Sequence, residues 1–335
     1  AGVAPAEAVD AILSAMDGGA TERPALRRAL ARAVQRSGSD APLDRVAAFV
    51  ERSPSPAAAA AAALALGRTE AAQPVAGELV RNALDRAERF EDRWRLVAAT
   101  ASLAPDDAVD RWLVSTVREA PEWMLRAAAL DALVARDAAR AGPAAEAALE
   151  DDYPRVRARA AAALGEHRDH LVAVATLARR DPWPLVRQEG VRALADHPEA
   201  LPVLRAAVHD PAAAVRRTAI ATLTEVGDRE AWGRVRKRLG DAGDDRAVRS
   251  AGIEFARRLC IEEAVGELGA IVDEGLSPDA TPGQHDLAAE AVRALTALGG
   301  PEAGAVLERA GDERAPALLR TTVGRAREHE PRCRE

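Results

Sequence analysis

DDYPRVRARAAAALGEHRDHL, residues 151–171, returns thirty residues later as DPWPLVRQEGVRALADHPEAL, residues 181–201. It returns again, twenty-nine further on, as DPAAAVRRTAIATLTEVGDREA, residues 210–231. Each copy reads as a turn, a proline, an amphipathic helix of about three turns and another turn. Recurrence at a fixed period has one physical reading. Each copy is a small unit that cannot bury its own apolar face and stacks on its neighbours to do so.

Arg157, Arg187 and Arg216 fix the register. Val156, Val186 and Val215 precede them, and Ala160, Gly190 and Ala219 follow three residues later. Ala163-Leu164, Ala193-Leu194 and Thr222-Leu223 fill positions +6 and +7. Apolar residues at −1, +3, +6 and +7 form one buried helical stripe. Small residues at +3 and +6 let a neighbouring helix approach closely. Pro154, Pro184 and Pro211 stand where a helix can begin, because its first N–H groups have no intrahelical partner.

The same register fits at Arg27, Ala59, Arg95, Arg126, Arg249, Ala288 and Arg320, giving ten anchors spaced 29 to 39 residues apart. A second amphipathic segment lies between anchors, as at 106–119, 169–180, 199–209, 229–239 and 261–274. Each unit is therefore two antiparallel helices. One array is expected over residues 1–335, most regular over about 106–226. The widest spacing is attributed to an irregular loop at 274–285, and residues 328–335 are expected to fray.

The cue D-x-x-P-x-V-R-x-x-A-x-x-A-L, complete at Asp151–Leu164 and nearly so at Pro184–Leu194, resembles HEAT-like repeats. The short bacterial form related to phycobilisome lyases is the nearest in kind. The resemblance covers about ten repeats. It implies an all-α, right-handed α-solenoid of about ten helix pairs, with the second helices lining the concave side. It also implies an Asp–Arg ladder between neighbouring units, built here from Asp151, Asp181, Asp210 and the anchor arginines. It says little about activity, because one fold hosts many functions.

Composition agrees with helices. The chain of 335 residues is 48% hydrophobic but only 3% aromatic, so alanine, leucine and valine must do the packing. The net charge of −7 argues against a general nucleic-acid binder. No apolar run is long enough to cross a membrane. Cys260 and Cys333, the two cysteines, form no metal or redox spacing and are not expected to build a disulfide framework. Cysteine usage prefers a cytoplasmic setting. The start at Ala1 without methionine keeps a removed leader, or excision from a larger protein, as an expectation.

No catalytic or metal-binding constellation is legible in the sequence. His167 and His197 occupy equivalent turn positions, with His170 beside the first, and are expected to be solvated rather than metal ligands. Deoxyhypusine hydroxylase resembles this fold and uses His-Glu pairs, but the one such pair here is His329-Glu330. HEAT-like DNA glycosylases use aromatic and acidic residues in a basic groove. Trp123, Tyr153 and Trp183 instead precede their anchors and are expected to pack between turns. No Gly-rich phosphate loop, G-x-S-x-G or CxxC occurs. No metal and no cofactor are expected.

Charge distribution says more. Residues 154–238 carry 16 basic and 10 acidic side chains, against the sign of the whole chain. Offsets +1, +2 and +5 should point away from the core. They place Arg159, Gln188, Glu189, Arg192, Arg217 and Glu254 on a mixed, basic-leaning surface. The expected function is a non-catalytic scaffold binding a protein partner on that face, an acidic partner suiting its basic lean. Nucleic-acid or phosphate-ligand binding by the central repeats is the alternative. A docking or regulatory domain cut from a larger enzyme is the third reading.

Overall fold

The computed structural model describes residues 5–16, 24–37, 41–52, 56–66, 73–84, 86–103, 106–165, 167–326 and 333. Among them every regular element is a helix. The chain divides into two compact units, Ala1–Ala163 and Leu164–Glu335. The first holds α1 (Pro5–Ala15), α2 (Pro24–Ser37), α3 (Ala41–Arg52), α4 (Pro56–Leu66), α5 (Gln73–Leu84), α6 (Phe90–Thr100), α7 (Asp107–Glu119), α8 (Trp123–Arg136) and α9 (Ala138–Ala148). α10 (Pro154–Leu164) ends at the division. The second holds α11 (Leu171–Arg180), α12 (Pro184–Ala193), α13 (Leu201–Ala207), α14 (Ala213–Glu225) and α15 (Trp232–Leu239). α16 (Arg246–Arg258), α17 (Val265–Leu276), α18 (Pro282–Leu298), α19 (Pro301–Ala310) and α20 (Ala317–Ala326) complete it.

Within each unit the helices pack in alternation. α2 stacks on α4, α4 on α6 and α6 on α8. In the second unit α12, α14, α16, α18 and α20 stack in series, while α11 packs on α13 and α17 on α19. Even-numbered helices form one layer and odd-numbered helices the other, which is the packing of a solenoid. In the second unit the sequence's second helices are the even layer.

The stripe explains the stacking. Val186, Gly190 and Leu194 are buried in the second unit, as are Val215, Ala219, Thr222 and Leu223. Position +4 is buried as well, at Val191, Ile220 and Ile253. The apolar face is thus wider than the four-position template, because each helix packs on its own pair and on the next layer. Gly190 shows why +3 must be small. A Cβ there would lie 3.0 Å from the backbone of Ala178 on α11.

The ladder has a definite geometry. Arg187 donates from one guanidinium nitrogen to the Asp181 carbonyl, six residues back, at 2.8 Å. It grips the Asp210 carboxylate of the next turn with two further N–H groups, at 2.7 and 2.8 Å. Arg126 does the same in the first unit, to the Ala120 carbonyl and the Asp151 carboxylate. Arg249 holds Glu274 in a bidentate pair at 2.9 Å. The carboxylates also close the turns that lead into the helices: the Asp210 side chain accepts from the Ala212 N–H, and Asp181 from Trp183. The arginine therefore bonds its own turn through a carbonyl and the next turn through a carboxylate.

Three expectations need correction. The loop at 274–285 shrinks, because α17 runs to Leu276 and α18 begins at Pro282. Thr281 and Gln284 form a reciprocal capping box there, and the long spacing comes from long helices. Cys260 and Cys333 are joined by a disulfide, with Cα atoms 5.4 Å apart. Their separation of 73 residues hides the pairing from any rule based on local spacing. Cys333 apart, residues 327–335 lie outside the described residues. His197 is not solvated: it is 5% exposed, and its Nε2 lies 2.5 Å from the Gly165 carbonyl oxygen.

Candidate functional site: the even-helix face of the second unit

Helix geometry decides which side chains can meet a partner. The stripe turns −1, +3, +4 and +7 inward, leaving +5 outermost on the even layer. Arg192, Ala221 and Ala162 occupy +5 and are exposed, while Glu254 is half-buried. Positions +1 and +2 lie at the flanks. Gln188 and Glu189 there are half-buried, Arg217 is exposed, and Thr218 is buried.

The structure brings some of the anticipated residues together and neutralises others. Arg192 pairs with Glu189 one turn back on α12. Glu254 is gripped by Arg257 on α16 through two bonds at 2.7 and 2.8 Å. Arg159, in the first unit, pairs with Asp131 at 3.1 Å. Burial pushes the Asp131 carboxyl up despite the neighbouring arginine. Arg217 has no ion-pair partner among the described residues. Most of the anticipated basic lean is therefore compensated within the chain, and Arg217 carries it outward.

Arg192 and Arg217 line one groove between α12 and α14, with Ala195, Thr218, Ala221, Thr222 and Glu225. Its volume is about 380 Å³. Sequence reading missed the threonines, counting Thr222 as a small core residue at +6. The signal was a hydroxyl where every other copy but one, Phe255, carries alanine.

Other candidates resolve differently. Trp123 stacks on Tyr153 with centroids 4.2 Å apart, and Arg155 sits 5.5 Å over Trp123. That is packing between successive turns, as expected for these two. Trp183 is 55% exposed and has no ring contact among the described residues. On the odd layer, Arg236 pairs with Glu267 and Arg238 with Asp244. Partial burial, with Arg238, Lys237 and Arg234 nearby, holds the His209 imidazole below its ordinary range. Among the described residues no three His, Cys, Asp or Glu side chains converge to hold a metal ion. The His329-Glu330 pair lies outside the described residues.

A family model described as HEAT repeats matches residues 109–195 and again 171–257. Over those residues the chain is built of HEAT-like repeats. Its all-α solenoid architecture follows, and HEAT repeats typically act as scaffolds for protein interaction. The even layer described above is the second-helix layer of those HEAT repeats. No curated protein matches the sequence. Among solved structures, YibA of Escherichia coli is similar at 14% identity and TM-score 0.48, covering 73% of this chain and 91% of that one. Human deoxyhypusine hydroxylase is similar at 20% identity and TM-score 0.32, covering 76% and 98%. UNC-45 from Drosophila melanogaster is similar at 10% identity and TM-score 0.35, covering 95% and 58%. No helix among the described residues is long and apolar enough to cross a membrane.

Proposed function

We propose that the chain is a non-catalytic scaffold that holds a protein partner on the even-helix face of its second unit. The observation that carries this reading is the make-up of the face. It presents small side chains and charges of both signs on rigid helices, with a groove that Arg192 and Arg217 share. Ser115 donates to the Glu119 carboxylate at 2.9 Å and Ser250 to that of Glu290, but neither pair lines the groove. Mixed charge suits a protein surface, where complementarity sets partner choice and approach rate.

The basic excess of residues 154–238 supports a second reading, nucleic-acid or phosphate binding. The placement of that charge weakens it. Arg217 is on the even layer, whereas Arg234 and Lys237 are on α15 in the odd layer. A phosphate backbone tracking the even layer would meet Glu189 and Glu225. Charge reversal separates the readings. Arg192→Glu with Arg217→Glu should lose a protein that the wild-type chain retains from nuclease-treated lysate, while the unfolding temperature stays unchanged. Nucleic acid retained from a parallel lysate without nuclease, with a steep salt dependence and no protein retained from the treated one, would favour the second reading. Turnover of a substrate abolished by one substitution would overturn the non-catalytic assignment.

A further inference from the structure

The groove between α12 and α14 holds two hydroxyls that the fold does not use. Helical threonines in this chain characteristically bond back one turn. Thr176 donates to the Val172 carbonyl at 2.8 Å, Thr224 to Ile220 at 2.7 Å and Thr296 to Val292 at 2.9 Å. Such bonding is the ordinary way to satisfy a hydroxyl on a helix. Thr218 and Thr222 are 5% and 4% exposed, yet neither hydroxyl has a hydrogen-bond partner among the described residues. Both line the groove, and neither hydroxyl is among the atoms sealed from solvent. The small exposed part of each side chain therefore includes its oxygen. Buried polar groups are as a rule hydrogen-bonded, so two free hydroxyls one turn apart are poised for an acceptor from outside.

The surroundings fix what that acceptor is. Arg217 adjoins Thr218 on α14 and has no ion-pair partner among the described residues. Arg192 lines the opposite wall and spends its one described ion pair on Glu189. A carboxylate fits two guanidinium groups and two hydroxyl donors. Glu225 closes α14 and lines the other end of the groove. It would repel a polyanion but can accept a peptide N–H. From Arg217 to Glu225 the helix rises about 12 Å, the length of roughly three or four extended residues. Ala195 and Ala221 leave room for a main chain between the charged ends.

We infer that this groove binds an extended acidic peptide segment, its carboxylate held by Arg192, Arg217, Thr218 and Thr222 and its chain directed toward Glu225. The inference rests on the protein-scaffold reading and adds the class of segment and the place where it lies.

The test is a selection of phage-displayed random peptides against the full chain, followed by affinity measurements on the peptides recovered. Asp or Glu should be enriched at one position. Thr222→Val should weaken binding of a recovered peptide about fivefold, the size of one neutral hydrogen bond, with no fall in unfolding temperature. Thr222→Ser, which keeps the hydroxyl, should retain it. Arg217→Ala should weaken it about tenfold or more, as a charge-assisted bond does. Peptides without acidic residues, no enrichment, or indifference to both Thr222→Val and Arg217→Ala would each overturn the inference. The two readings fail separately. A cellular partner lost on charge reversal of Arg192 and Arg217 but bound by Thr222→Val with unchanged affinity would remove the peptide groove and leave the face, whereas a partner indifferent to the charge reversal would remove the face.

Discussion

Arg187 uses one guanidinium for two joints, its own turn through the Asp181 carbonyl and the next repeat through Asp210. Its side chain is 10% exposed and that of Asp210 is 8%. A buried pair of this kind adds little over a well-packed apolar pair, but breaking it strands a carboxylate. Arg187→Ala should therefore cost about 3 kcal/mol, read as a lower denaturation midpoint. Unchanged stability with lost partner binding would make Arg187 a ligand contact instead. The ladder also predicts a pH dependence. Burial alone would raise the Asp151 carboxyl, but bonds from Arg126 and the Tyr153 N–H outweigh it and hold the group below its ordinary range. Asp244 behaves alike beside Arg216 and Arg238. A carboxylate lowered in the folded state contributes stability above its unfolded pKa and loses it as pH falls through the folded one. Wild-type stability should decline below about pH 4, and Asp151→Asn should show a shallower decline in an acid titration followed by circular dichroism.

At the scale of helices, close approach sets which glycines are fixed. A Cβ on Gly275 in α17 would sit 2.3 Å from the Ala288 Cβ on α18. Gly275→Ala should destabilise by about 1–3 kcal/mol through overpacking. Gly304 on α19 has open space around its would-be Cβ, so Gly304→Ala should stabilise by up to about 1 kcal/mol through helix propensity. Calorimetry on both variants checks the contrast. These helices also show what the sequence made legible. Val186, Gly190 and Leu194 declared the buried stripe because burial repeats with the helical period. EGLSPDATPGQH looked irregular because Gly275 and Pro282 are read as breakers. In place, Gly275 is a close-packing residue inside α17 and Pro282 is the first residue of a capped helix. Whether glycine breaks a helix or lets one approach depends on the neighbour, which a single sequence does not carry. The same limit hid the free hydroxyls of Thr218 and Thr222, whose residue type alone suggested an ordinary back-bonded helix position.

Over the whole molecule, the period of about thirty residues made the HEAT-like solenoid readable, whereas contacts distant in sequence did not declare themselves. The Cys260–Cys333 disulfide ties the last described residue to the end of α16, across 73 residues of chain. Closing such a loop stabilises by about 4 kcal/mol in the chain-entropy model. Reduction should therefore loosen the repeats between α16 and the C-terminus first. Alkylation before reduction should add nothing to the mass, and after reduction should add two adducts. The pairing removes the ground for preferring a reducing compartment, since disulfides persist in oxidising ones. Compensation of Arg192 and Glu254 within the chain leaves the even-helix face of the second unit mixed rather than basic, which suits docking of a protein there. The most direct measurement places a photo-crosslinking residue at Ala221, on that face, and in a second variant at Val172, which is 81% exposed on the odd-helix side. The account predicts a discrete protein adduct from position 221 in cell lysate, lost with Arg192→Glu and Arg217→Glu, and none from position 172. Nucleic-acid adducts at 221, or the same protein adducts at both positions, would contradict it.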